Sequence, residues 1–100
     1  MDDPTSHSHR AGADVLPTPS AHVVSRRVGD EVVLVHLQSN RIFALSPTGA
    51  RFWELLSEGR GRQEIEVRLL EEYDISREQV SAEMNSLIEA LRVEELVEDG

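Results

Sequence analysis

Apolar and polar positions change period once along this chain. From His22 to Leu45 the apolar residues come in short β-branched blocks, and from Ser46 onward they recur at steps of three and four. The first pattern predicts strands and the second amphipathic helices. "HVVSRRV" and "EVVLVHL" are separated by Gly29 and Asp30, which supply hairpin turn chemistry. A third block, "RIFAL", follows "QSN", where Asn40 tolerates the left-handed conformation of a second tight turn. The economical arrangement is a meander of three antiparallel strands. Val33, Val35 and Leu37 alternate with Val32, Leu34 and His36 in the second strand, and Ile42 and Ala44 alternate with Phe43 and Leu45 in the third. Both faces are partly apolar, so one packs on helices and the other keeps some exposed apolar surface.

Ser46 and Pro47 open the first helix, as N-cap and first helical residue. Ala50, Phe52, Trp53, Leu55 and Leu56 give it a broad apolar face, and Gly59 stops it. Gly49, lacking a side chain, suits close approach of another backbone. A second helix runs from about Arg62 to Tyr73, with Ile65, Leu69, Leu70 and Tyr73 on one side. The third starts at Ser76 with Gln79 three residues on, the capping-box spacing, and carries Val80, Met84, Leu87, Ile88 and Leu91 as its stripe. "LVE" at 96–98 is a short apolar tail. Residues 1–19 show no apolar periodicity and read as a disordered arm, which leaves residues 20–98 as the folded domain. Strands followed by helices mean an α+β fold. Three helices on short turns beside a three-stranded antiparallel sheet make it winged-helix-like.

Composition narrows what such a domain does. The formal net charge is -9, and every basic side chain is Arg. An acidic surface repels nucleic acid and anionic lipid, so proteins, peptides or cations are the expected partners. The arginines of the second and third helices are outnumbered by glutamates, which argues against a DNA-reading helix-turn-helix. A small patch of Arg26, Arg27 and Arg41 is the residual basic feature. With no Cys there is no thiol nucleophile and no thiolate zinc site. His7 and His9 on the arm make a weak metal site, and His22 and His36, in adjacent strands, lack a third ligand or a nucleophile. The expectation is a protein without catalytic activity, cofactor or metal. The polar N-terminus and the lack of a long apolar run point to a cytoplasmic, non-membrane location.

A binding role is suggested by the third strand. In a sequential meander its outer edge is unpaired, and "RIFAL" carries one Arg and no other blocking feature. A peptide can add there as a further strand, drawing affinity from main-chain hydrogen bonds and specificity from side-chain pockets.

The residues also carry a family resemblance. "NRIFALSPTGARFWELLSEG", then "V-x-x-E-M-x-x-L-I-x-x-L" and a final "L-V", is similar to PqqD-like proteins, the RiPP precursor peptide recognition elements. The likeness runs from about Val23 to Glu98. It implies a non-catalytic adaptor that binds the leader of a ribosomally made precursor peptide and presents it to modifying enzymes. The leader would lie on Arg41, Ile42, Phe43, Ala44 and Leu45. A wall drawn from Val80, Glu83, Met84, Leu87, Ile88 and Leu91 would face it. Strand alternation leaves open which of Ile42/Ala44 and Phe43/Leu45 faces that wall. A free-standing chain of this length resembles those of lasso-peptide pathways, which implies a leader-cleaving cysteine protease and an ATP-dependent cyclase as partners. Pyrroloquinoline quinone synthesis is the alternative pathway, and a DNA-binding winged helix the more distant one. The sequence departs from the family at Ser46, where Asn is frequent, at Asn40, where Gly is usual, and at Glu83, where Asp is common. Glu95 stands where a Gly usually precedes the final "L-V", which puts the path of the tail in question.

Overall fold

The computed structural model describes residues 16–99. Five strands and three helices follow in the order β1 (Thr18–Pro19), β2 (Val23–Val28), β3 (Glu31–His36), β4 (Arg41–Leu45), α1 (Pro47–Ser57), α2 (Arg62–Glu72), α3 (Arg77–Val93) and β5 (Val97–Glu98). The expected meander is present as the antiparallel sheet β2-β3-β4. Its first turn is two residues long, and Gly29 takes φ +64° while Asp30 does not enter the left-handed region. That is the pattern of a type II′ hairpin, whose twist matches the flanking strands. Asn40 takes φ 62° at the end of the second turn, the left-handed conformation expected of it.

Helices α1 and α3 begin where their capping residues stand. The Ser46 hydroxyl accepts from the Gly49 N–H at 3.3 Å with Pro47 next in line. Ser76 and Gln79 form a reciprocal capping box, at 3.1 Å and 3.4 Å. Such a cap contributes roughly 1 kcal/mol. The helices are tied to one another by charge as well. Arg51 of α1 holds Glu72 of α2 through two bonds of 2.9 Å, and this carboxylate keeps the guanidinium above its ordinary range. Arg62 of α2 reaches Asn85 of α3 at 2.8 Å.

The core lies between the inner face of the sheet and the helices. Val32 and Leu34 meet Phe52, Trp53 and Leu55 of α1, Ile65 and Leu69 of α2, and Val80, Met84, Ile88 and Leu91 of α3. The inner face of β3 is therefore Val32, Leu34 and His36, and Val33 and Val35 look outward. The outer face keeps Val24, Val28 and Ile42 in solvent.

Two findings correct the sequence reading of the chain's ends. Thr18 and Pro19 were assigned to the arm, yet they pair with Glu98 and Val97 in a second, two-stranded sheet. Leu16 packs on the core, and Ser20 donates its N–H to the Leu96 carbonyl at 2.9 Å. The folded unit thus extends at least to Leu16, because the "LVE" tail needs a partner strand and the segment before Ser20 supplies it. The remaining arm, with His7 and His9, lies outside the described residues. Glu95 at the start of the tail takes φ 59°, a left-handed conformation that Gly adopts more cheaply.

Candidate functional site

The hydrogen-bonding direction of every strand residue follows from the register. The two-residue turn makes Val28 and Glu31 a hydrogen-bonded pair, and the Leu37 N–H donates to the His22 carbonyl at 2.8 Å. Alternation between these ends points the main-chain groups of Glu31, Val33 and Val35 at β2, and those of Val32, Leu34 and His36 at β4. Their partners Leu45, Phe43 and Arg41 answer inward. Ile42 and Ala44 therefore turn their N–H and C=O groups away from the sheet. Among the described residues no hydrogen bond outside the sheet reaches them. Four main-chain groups on one edge stand ready for another strand.

Side chains at this edge alternate the other way. Arg41, Phe43 and Leu45 share the inner face with His36, Leu34 and Val32, whereas Ile42, 69% exposed, and Ala44 lie on the outer face. Strand alternation alone had left this open. Beside Phe43 and Leu45, a groove separates β4 from α3. One part, about 390 Å³, is lined by Phe43, Leu45, Leu87, Ala90, Leu91 and Leu96. A second, about 450 Å³, shares Leu87 and Ala90 and continues past Gly49, Ser46, Glu83 and Ser86. Gly49 forms part of the groove's floor. An added Cβ there would stand 3.4 Å from Leu87 Cδ2 and 3.5 Å from Leu45 Cβ, so its missing side chain makes room for side chains rather than for a backbone.

The helical wall differs from the expected one in a systematic way. Val80, Met84 and Leu91 are 1%, 0% and 3% exposed and belong to the core, as does Ile88. Of these only Leu91 also lines the groove. The groove wall is the adjacent stripe, Glu83, Leu87, Ala90 and Glu94, at steps of four, three and four. Of the expected residues, Arg41, Ile42, Phe43, Ala44, Leu45, Glu83 and Leu87 are brought together around the edge and groove. Val80 and Met84 are not. Sequence reading missed Gly49, Ser86, Ala90 and Glu94. The available signal was Ala90, a small residue one turn on from Leu87, where an added side chain would fill the space. From Glu83 to Glu94 the wall covers eleven helical steps, or about 16 Å at 1.5 Å per step, which fits about five residues of extended chain.

The remaining candidates are accounted for by packing. His22 and His36 stack with ring centroids 6.4 Å apart, and the buried His36 accepts at Nδ1 from the N–H groups of Gln38 and Ser39. It braces the β3–β4 turn. Among the described residues no group of three or more His, Cys, Asp or Glu side chains is placed to hold a metal ion. Arg27 pairs with Glu54 and Arg41 with Glu94, while Arg26 sits on the outer face, so the three do not assemble into one basic patch. No described helix is long and apolar enough to cross a membrane.

One family profile and two solved structures match the chain. The family profile described as "Coenzyme PQQ synthesis protein D (PqqD)" matches residues 31–97. A solved structure described as "TbiB1 in Complex with the TbiA(beta) Leader Peptide" is similar at 39% identity and TM-score 0.76, over 80% of this chain and 93% of that one. A second, "Lasso peptide synthetase B1 complexed with the leader peptide", shares the fold at 18% identity and TM-score 0.74, covering 83% of this chain and 96% of that one. No curated protein matches the sequence at a significant level.

Proposed function

Because the chain belongs to the PqqD family, we propose that it is a RiPP recognition element, an adaptor without catalytic activity that holds the leader of a ribosomally made precursor peptide. The observation that carries this reading is the outward-facing main chain of Ile42 and Ala44, set beside an apolar groove about five residues long. The leader adds to β4 as a fourth strand. Its alternate side chains enter the spaces between Phe43 and Leu45 on one side and Leu87 and Ala90 on the other. Pairing through main-chain groups gives affinity that depends little on sequence, and the two parts of the groove select two or three apolar side chains.

In this reading the pathway is lasso-peptide biosynthesis: the 39%-identical relative is solved with a leader peptide, and a chain described as lasso peptide synthetase B1 shares the fold. The partners downstream are a leader-cleaving cysteine protease and an ATP-dependent cyclase, working in the cytoplasm. The adaptor contributes proximity, raising the concentration of substrate at the enzyme that acts on it. A shuttle must also release its cargo, which suits an affinity between nanomolar and micromolar, about 8 to 12 kcal/mol.

Fluorescence polarisation with labelled TbiA(β) leader tests this, run at low and moderate salt with a DNA duplex in parallel. Saturable leader binding that changes little with salt, with no response to DNA, is the expected result. A folded protein that ignores the leader and binds DNA in a salt-sensitive way would overturn the reading.

A further inference from the structure

One polar contact joins β4 to the end of α3 among the described residues: Arg41 Nη1 meets Glu94 Oε1 at 2.8 Å. The guanidinium also sits 5.2 Å above the centre of the Phe43 ring. Phe43 and Leu91 line the apolar groove, whereas His36, Gln38, Ser39, Arg41 and Glu95 line a polar depression of about 330 Å³. Val93 and Glu94 border both. The two spaces are therefore neighbours, and the Arg41–Glu94 pair lies where one gives way to the other.

We propose that this pair is a bar that ends the peptide groove and sets how many leader residues are read. The inference rests on the leader-binding reading above and adds a boundary to it. A strand laid along Ile42 and Ala44 runs from the Ser46–Glu83 end toward the bar. Beyond it, the surface changes from apolar to polar and the edge of β4 stops at Arg41. The pair spans strand and helix, so it also holds the width of the groove at that end. Arg41 is favoured for this task because its planar group can stack on an aromatic ring and still offer an N–H to a carboxylate. Both side chains have solvent contact, so the bar is a weak one that a longer peptide can test without unfolding the domain.

The experiment is an alanine scan of the TbiA(β) leader against wild-type protein, Glu94→Ala, Arg41→Ala and the exchange Arg41→Glu with Glu94→Arg. In wild type, sensitive leader positions should fall within about five consecutive residues. Each single substitution should weaken the full leader threefold to tenfold and lengthen the sensitive window by one or two positions at one end. The exchange should restore affinity to within twofold and the window to its original length. An unchanged window, or an exchange as weak as the single variants, overturns the bar while leaving leader binding intact. Failure of wild type to bind any leader sinks the adaptor reading, and the bar with it. A peptide-free readout stands beside the titrations: the Arg41 side-chain N–H should exchange measurably more slowly in wild type than in Glu94→Ala. Equal exchange in the two overturns the proposal.

Discussion

The sheet has two edges, β2 and β4, and only one of them suits a partner strand. By register, β2 turns the main-chain groups of Ser25 and Arg27 outward, as β4 does those of Ile42 and Ala44, while the Val23 N–H donates to the Ser20 carbonyl. Hydrogen-bonding capacity therefore does not separate them. What differs is the ground beside each edge. At β2 the inner-face side chains are Val23, which packs down on the core, then Ser25 and Arg27, and Arg27 is engaged with Glu54 of α1. Charge at an edge discourages pairing. At β4 the inner-face residues Phe43 and Leu45 open onto a groove, and the one charge, Arg41, is held to the side by Glu94. An edge becomes a binding site when an apolar groove accompanies its free main chain.

The largest predicted effect separates groove from core beside the open edge. Met84→Glu would place a charge at a fully buried position and should cost on the order of 3 kcal/mol or more of stability, seen as unfolding in a thermal melt. The same charge at Ala90, which is exposed on the groove stripe, should leave the melt nearly unchanged and remove leader binding in a titration. A folded Met84→Glu variant would show that the two stripes of α3 have been confused.

Next in size is the contrast between the edges themselves. Ala44→Pro deletes an outward N–H and should weaken the leader at least tenfold, about 1.4 kcal/mol, with little loss of stability. Ser25→Pro, its counterpart on β2, should leave leader affinity within twofold. Equal losses from both would mean that the edges are not distinguished by the groove. A smaller effect concerns the tail that backs the groove. Glu95→Gly relieves a left-handed backbone and should raise stability by about 1 kcal/mol, a few degrees in the melting temperature. Asn40→Gly, at a similar φ, should change it by no more than about 0.5 kcal/mol, since Asn already tolerates that conformation.

Much of this was legible in the sequence because local signals agreed. Gly29–Asp30, Asn40, Ser46–Pro47 and Ser76–Gln79 mark the turns and caps, and the structure uses each of them. The exposed third strand followed from strand order alone. The β1–β5 pair was not legible, because two-residue strands carry no periodicity and their pairing joins opposite ends of the chain. Nor was the groove wall. Val80, Met84 and Leu91 form the stronger apolar stripe because they fill the core, whereas a groove leaves its mark as missing volume at Gly49 and Ala90. Which face of β4 looks inward depends on the packing of β3, whose outward valines resemble its inward ones in composition.

The central claim is that a leader pairs with β4 through Ile42 and Ala44. Residue-resolved amide hydrogen exchange, with and without TbiA(β) leader, tests it most directly. The Ile42 and Ala44 amides should exchange freely in the apo protein and become protected when the leader is added, while Ser25 and Arg27 stay unprotected throughout. Protection appearing on β2, or binding that leaves Ile42 and Ala44 exchanging as before, would contradict strand addition at this edge.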